Sequence, residues 1–190
     1  AGAFGGDIAG TLVSAGIVSA ADGGITELDA TDLEFTYRSS RLKRAVAAGK
    51  PAATILRAAF AVHRGDPVEM GAQADSHLNK RRLSQPTEPS AGSIFRNPVG
   101  DYAGRLIEFT GLKGMQVGGA MISPKHANFI VNAGNGTAAD VLQLIRRTQE
   151  EVYGRHGVTL EPEILLVGDW EGEPSIKIGH HDRATDRLSG

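Results

Sequence analysis

A chain of 190 residues can hold one good core or two small ones. With 41% hydrophobic and 22% charged residues it is an ordinary globular composition, and a net charge of −2 gives no ground for nonspecific nucleic-acid binding. The lack of cysteine excludes a disulfide framework and cysteine metal sites and fits a reducing cytosol, and no apolar run reaches the length of a membrane span.

The chain opens without methionine, at AGAFGGDIAG, and no signal-peptide layout is present. This opening reads like the middle of a domain, so a fragment or processed chain is expected. Gly2, Gly5 and Gly6 precede Asp7 and the apolar spacing Ile8, Leu12, Val13, which predicts a tight turn feeding a helix. Residues 16–36 alternate short apolar runs with turn signals such as DGG at 22–24 and predict strands. Thr31 stands three before Glu34 in ATDLEF, the spacing of a capping box. TYRSSRLKRAVAAGK predicts a loop and a helix ending near Gly49, and PAATILRAAFAVHRGD (51–66) a buried strand. Residues 66–82 predict a helix whose last turn carries basic residues, where they suit the helix dipole.

SQPTEPSAGS (84–93) is rich in Ser, Pro and Gly, and a domain boundary is expected there, after residue 86. Beyond it the pattern predicts a helix over 101–110, a turn at GLKG, a strand near 115–122 and a second strand in HANFIVN (126–132). AGNG (133–136) is a turn. Thr137, three before Asp140, predicts a capped helix with Val141, Leu144, Ile145 and Val152 on one face, stopping near Gly154 or Gly157. VTLEPEILLVGDW (158–170) predicts the last strand, and the polar tail 171–190 an irregular end. The second half, 87–170, therefore reads as a small α+β domain with helices on one face of a mixed, largely antiparallel sheet.

The chemical candidates are few. Ser93 follows Gly92, but Ala91 and Phe95 stand where a GxSxG elbow needs glycine, and no His–Asp pair is tied to it by spacing. A turn cap is the plainest role for it; proton donor is another, and that role needs a neighbour such as Arg96 to stabilise the anion or relay the proton. Glu163 lies in LEPEILLV, where Pro162 implies an edge or a distortion, so that a solvent-facing carboxylate competes with a functional one. Arg38, in FTYRSS, has the geometry to hold a carboxylate or phosphate in bidentate fashion, or to make a surface salt bridge. His126 and Asn128 flank a strand start, where a structural role is the simpler reading. The histidines show no zinc-ligand spacing, and neither a GxGxxG fingerprint nor a P-loop is present.

Taken together, AGAFGGDI, LEFTYRSS, RRLSQP, SAGSIFRNP, AGRLIEFTGLKGMQVGGAMISPKHANFIVN, GTAADVLQLI and VTLEPEILLVG, in this order, resemble the UDP-N-acetylenolpyruvoylglucosamine reductase (MurB) family. The resemblance covers roughly residues 1–169, and the compact segment 98–126 resembles the shorter of the family's two types. It implies that NADPH reduces a bound FAD, that hydride then passes to the enolpyruvyl double bond of UDP-N-acetylglucosamine enolpyruvate, and that the enzyme works in the cytoplasm, without nucleic acid or membrane span. It implies that Ser93 donates the proton, and that Glu163 and Arg38 are the other catalytic residues. Gly2, Ala3, Gly5, Gly6, Ile8 and Arg38 are then expected at the FAD, within a remnant of the FAD-binding domain over 1–86. Arg96, Asn97, Arg81 or Arg82, and Asn128 are expected at the substrate. Two departures stand out: the family's N-terminal FAD-binding part does not precede AGAFGG here, and Arg96 stands where lysine is common. The other reading is a UDP-sugar-binding fragment without a full flavin site.

Overall fold

The computed structural model describes residues 2–3, 6–20, 22–51, 53–168 and 170. The chain forms two compact units, Ala1–His77 and Leu78–Gly190.

In the first unit β1 (Gly2–Ala3) and β2 (Gly6–Asp7) form a short antiparallel ribbon. The helix expected over Ile8, Leu12 and Val13 is not there. One turn closes with Leu12 N–H donating to Ile8 C=O at 2.9 Å, and the chain then runs straight into β3 (Leu12–Ser19). The β-branched residues Val13, Ile17 and Val18 favour the extended form, and β3 is paired on both sides, by β4 (Ile25–Asp29) and β5 (Ala53–Phe60). Thr31 and Glu34 do not make a capping box. Thr31–Leu33 is a single 3-10 turn that follows Ala30 and ends at Glu34 in the left-handed region, φ 45°. Helix α1 (Arg41–Ala47) starts on Ser40, whose hydroxyl accepts Lys43 N–H at 3.3 Å, and ends before Gly49 at φ 71°, as its sequence predicts.

β5 is a strand, but not a buried one: Ile55, Leu56 and Phe60 are 56%, 55% and 49% exposed. It is an edge of the β4–β3–β5 sheet, and the buried residues of this unit, Leu12, Ala15 and Leu33, gather Leu28, Phe35 and Leu42 about them instead. Helix α2 (Pro67–Ser84) carries Arg81 and Arg82 in its last turn, and the division between the two units falls within it.

The second unit has the expected α+β build. Its sheet runs β6 (Ser90–Ser93), β9 (Phe129–Asn132), β8 (Ala120–Ile122), β7 (Gln116–Val117), every pairing antiparallel. Helices α3 (Ala103–Phe109) and α4 (Ala138–His156) share one core with it, in which Ile94, Phe95, Leu106, Ile107, Ile122, Leu144, Ile145 and Val152 are buried. The single strand expected near 115–122 is a hairpin, turned at Gly118–Gly119, where Gly118 takes φ 52°. That turn sits against the start of α4: a Cβ on Gly119 would stand 2.2 Å from Gly136 N. Helix α4 has the predicted capping box, with Thr137 N–H donating to Asp140 Oδ2 at 2.9 Å and Asp140 N–H to Thr137 Oγ1 at 3.2 Å. It ends at Gly157, φ 67°.

No strand forms over 158–168. One antiparallel bridge, Phe95 to Pro162, is the β pairing that segment makes among the described residues; the Ile94 N–H that a longer ladder would need is given to Asn128 C=O instead. The tail 171–190 lies outside the described residues.

Candidate functional site

The loop after β6 is held from both sides by its neighbours. Phe95, 2% exposed, donates its N–H to Asn128 Oδ1 at 2.9 Å and accepts from Asn128 Nδ2 at 2.8 Å. Ile94 N–H donates to Asn128 C=O at 2.9 Å. On the other side Arg96 N–H donates to Glu161 C=O at 2.9 Å, and Glu163 N–H to Ile94 C=O at 2.7 Å. These bonds flank Pro162 and leave a register around it, in which Glu163 stands opposite Ile94. Ser93 is the neighbour of Ile94 in sequence, so the backbone bond of Glu163 lies one residue from the serine.

Ser93 lies on a pocket of about 420 Å³ in the second unit, with Asn97, Tyr102, Arg105, Glu108, Lys125, His126 and Asn128 also on its wall. Gly92, at φ 80°, turns the chain just before the serine. Among the described residues the Ser93 hydroxyl makes no hydrogen bond. Asn97 Oδ1 accepts Ala103 N–H at 3.1 Å and so caps α3, whose own N-cap position, Tyr102, offers no side-chain bond. The Nδ2 of Asn97 remains for the pocket. Arg96 pairs with Glu161 at 3.6 Å, and its Nε is buried without a hydrogen-bond partner among the described residues.

The pocket holds both signs of charge. Arg105 is bound to Asp101 across one helical turn, Nε donating to Oδ1 at 2.6 Å, and lies over the Phe109 ring at 5.0 Å. That guanidinium, with the Tyr102 N–H, pulls the Asp101 carboxyl down to about 2. Glu108 pairs with Lys113 at 2.6 Å. Lys125 donates to the Arg82 carbonyl at the end of α2, so the basic last turn of that helix anchors a cation of the pocket; the Arg81 and Arg82 side chains themselves are exposed. His126 Nδ1 accepts Asn128 N–H at 3.2 Å, which leaves Nε2 as the protonated nitrogen of the neutral ring. Burial lowers its pKa, so the ring is neutral at pH 7. Lys125, Tyr102 and Arg105 carry no chemical signal in the sequence, and His126 reads there only as a structural residue at a strand start.

The first unit carries the remaining candidates. Arg38 takes φ 55° in a two-residue turn closed by Thr36 and Ser39, each donating its N–H to the other's carbonyl at 3.1 Å. Its guanidinium lies 5.7 Å from the Tyr37 ring centre. A left-handed arginine is uncommon and costs about 1–2 kcal/mol; Glu34, at φ 45°, is the other non-glycine residue in that region among the described residues. Gly2 and Ala3 form β1, Gly6 lies on β2, and Ile8 begins the exposed turn after it. Gly5 lies outside the described residues. Among the described residues no group of three His, Asp or Glu side chains is placed to hold a metal, and no helix is long and apolar enough to cross a membrane.

A helix-backed antiparallel sheet beside a mixed-charge pocket, with a serine on the pocket wall, is an arrangement suited to a small polar ligand. Residues 85–167 match the family model "UDP-N-acetylenolpyruvoylglucosamine reductase, C-terminal domain", and the domain they form belongs to that family. Over 170 residues the chain is 44% identical to the UDP-N-acetylenolpyruvoylglucosamine reductase of Synechococcus sp. (strain RCC307), covering 88% of this chain and 54% of that protein. It is 41% identical over 170 residues to that of Enterococcus faecalis, covering 89% of this chain and 54% of the relative. The crystal structure of the reductase from Thermus caldophilus superposes with a TM-score of 0.73 at 37% identity, covering 86% of this chain and 55% of that one. The chain thus spans about half the length of the curated relatives it matches.

Proposed function

We propose that this chain takes part in the NADPH-dependent reduction of UDP-N-acetylenolpyruvoylglucosamine to UDP-N-acetylmuramate, an oxidoreductase step of peptidoglycan precursor synthesis in the cytoplasm. The observation that carries the reading is Ser93 on the wall of the pocket, in a segment whose next residue, Ile94, accepts the Glu163 N–H at 2.7 Å. The reduction adds hydride to one carbon of the enolpyruvyl double bond and a proton to its neighbour. The Ser93 O–H bond breaks as the new C–H bond forms, and the alkoxide left behind takes a proton from solvent. An alcohol is a weak acid, so its contribution comes from placement beside the accepting carbon. The negative charge that builds next to the substrate carboxylate calls for a cation, the role the resemblance assigns to Arg38, while Glu163 polarises the same group. Asn97 Nδ2, Arg105 and Lys125 offer donors and positive charge to a UDP-sugar in the pocket, with Arg96 beside the serine.

FAD is the hydride carrier implied by the resemblance. The first unit fits one edge of such a group: Gly6 is exposed, with open space where a Cβ would stand, and Ile8 is exposed beside it. Gly2, Ala3, Gly6, Ile8 and Arg38 would line it. When bound, FAD supplies the hydride that NADPH delivers to it.

The test uses the full-length protein loaded with FAD. NADPH should bleach the flavin, and UDP-N-acetylenolpyruvoylglucosamine should restore its colour. Ser93→Ala should keep the first half-reaction and lose the second by at least a hundredfold. Equal loss of both removes Ser93 from the proton step. A protein that binds UDP-sugar but never retains flavin is a binding module and not a reductase.

A further inference from the structure

We infer that Asn128 is a positioning residue for the Ile94–Phe95 segment that carries Ser93 and bonds the Glu163 backbone, acting through the backbone of Phe95 and not as a ligand of the substrate; the inference rests on the reductase reading above. β6 pairs with β9 at Ser93 and Phe129, and there the ladder ends, because the chain before Phe129 folds into the turn that begins at Ser123. Ser123 Oγ accepts the Lys125 and His126 N–H groups at 3.1 and 3.4 Å, and Phe129 N–H donates to His126 C=O at 3.0 Å. Phe95 lies beyond the end of that ladder, inside the core. Its buried N–H and C=O would have no strand to meet.

The Asn128 side chain supplies what the strand no longer does. A carboxamide is planar and carries one acceptor and one donor side by side, like a peptide group. Oδ1 takes the Phe95 N–H and Nδ2 meets the Phe95 C=O, at 2.9 and 2.8 Å. At 4% exposure the side chain is buried, and both of its polar atoms serve the loop. Phe95 is also the residue that bridges to Pro162, with the two bonds to Glu161 and Glu163 on either side. One amide therefore fixes the short segment from which Ser93 projects at one end and against which Glu163 is set at the other. Loosening it moves both groups together. A displacement of about 1 Å at a reacting group can cost on the order of a hundredfold in rate.

The experiment compares Asn128→Ala and Asn128→Asp with wild type in the full-length, FAD-loaded protein. The expected result for Asn128→Ala is a fall in kcat for enolpyruvyl reduction of at least tenfold. KM for that substrate and the NADPH half-reaction should each stay within twofold. Amide hydrogen exchange at Phe95 and Glu163, which needs no flavin, should accelerate at least tenfold. Asn128→Asp supplies the discriminating readout. Its carboxylate can accept from Phe95 N–H but not donate to the carbonyl; once protonated, its O–H restores the donor. Burial raises the pKa of such a group, so the kcat of Asn128→Asp relative to wild type should recover as pH falls, while that of Asn128→Ala should not. A tenfold rise in KM with unchanged kcat would make Asn128 a substrate ligand and overturn the inference. So would wild-type kcat in Asn128→Ala, or the loss of both half-reactions in both variants at every pH. A wild-type protein that does not reduce the enolpyruvyl substrate overturns the reductase reading instead, and an active wild type with an unaffected Asn128→Ala overturns this inference alone.

Discussion

Asn97 has two jobs that a pair of substitutions can pull apart. Its Oδ1 accepts the N–H of Ala103, the first residue of α3, at 3.1 Å, and Ala103 is fully buried. Its Nδ2 is what it can offer to a ligand in the pocket. Asn97→Ala removes the cap, at about 1 kcal/mol, and in a domain of this size that lowers Tm by ~4–8 °C. Asn97→Asp keeps an acceptor for Ala103 N–H and should melt within about 2 °C of wild type at neutral pH, given the same scale of ~4–8 °C per kcal/mol. Binding should rank the variants differently. Loss of one neutral donor weakens UDP binding by about fivefold to tenfold in Asn97→Ala, corresponding to about 1 kcal/mol. Asn97→Asp loses that donor and also sets a carboxylate near a diphosphate, so it should bind more weakly still. Differential scanning calorimetry and isothermal titration with UDP measure the two orders on the same samples. Wild type and Asn97→Asp should be the stable pair, and Asn97→Asp the weakest binder. The same order in both assays would show that one role, not two, accounts for Asn97.

Three further outcomes follow from the geometry. Gly119→Ala should cost about 1–3 kcal/mol or more in urea denaturation, because its Cβ would meet backbone, Gly136 N at 2.2 Å and Asn135 C at 2.5 Å, which cannot rotate away; Gly134→Ala, with open space around it, is the control and should lie within about 1 kcal/mol of wild type. The Asp101 carboxyl should titrate near 2 by NMR and return toward 3.8 in Arg105→Gln; its stabilising contribution is complete above 3.8 and disappears as pH falls from 3.8 to about 2. His126 has its pKa lowered from 6.5 by burial, so the unfolded chain takes up the proton first, and stability should decline as pH drops below 6.5 until the folded ring also protonates; His126→Gln should flatten that slope between pH 7.5 and 5.5.

What was legible in the sequence is what is decided locally. The capping box of Thr137 and Asp140, the stop at Gly157 and the end of α1 before Gly49 depend on residues close in sequence, and all are readable as such. The run Ile8, Leu12, Val13 misleads because the same spacing serves a turn followed by a strand, and pairing with both β4 and β5 decides the matter. β5 reads as buried because it is apolar, but whether an apolar edge is covered depends on what packs against it. Pro162 announces a distortion without revealing that the two peptides around it keep a register with Ile94 and Arg96. Ser93 and Glu163 were found by resemblance; composition alone left each with a plain structural role. Lys125 carries no signal in the sequence and His126 reads only as structural, because the turn from Ser123 to Phe129 brings them to the pocket wall through hydrogen bonds invisible in one dimension. Asn128 is expected at the substrate from the resemblance, but nothing in HANF says that its side chain will do the work of a strand.

The distribution of buried groups explains why the second unit can host such a site. Its core is contiguous across the sheet, α3 and α4, so Ile94 and Phe95, 1% and 2% exposed, are fixed by packing before any polar group acts. The polar bonds around them then set direction, not cohesion. In the proposed reading an alcohol that hands over a proton gains from being held still beside its target, in addition to any stabilisation of its anion. The Ser93 hydroxyl makes no hydrogen bond among the described residues, while the residues beside it are bonded on both sides. Constraint is placed one and two residues away from the reacting atom, in the backbone of Ile94 and Phe95. That arrangement leaves the oxygen free to meet a substrate and makes its position a property of the fold.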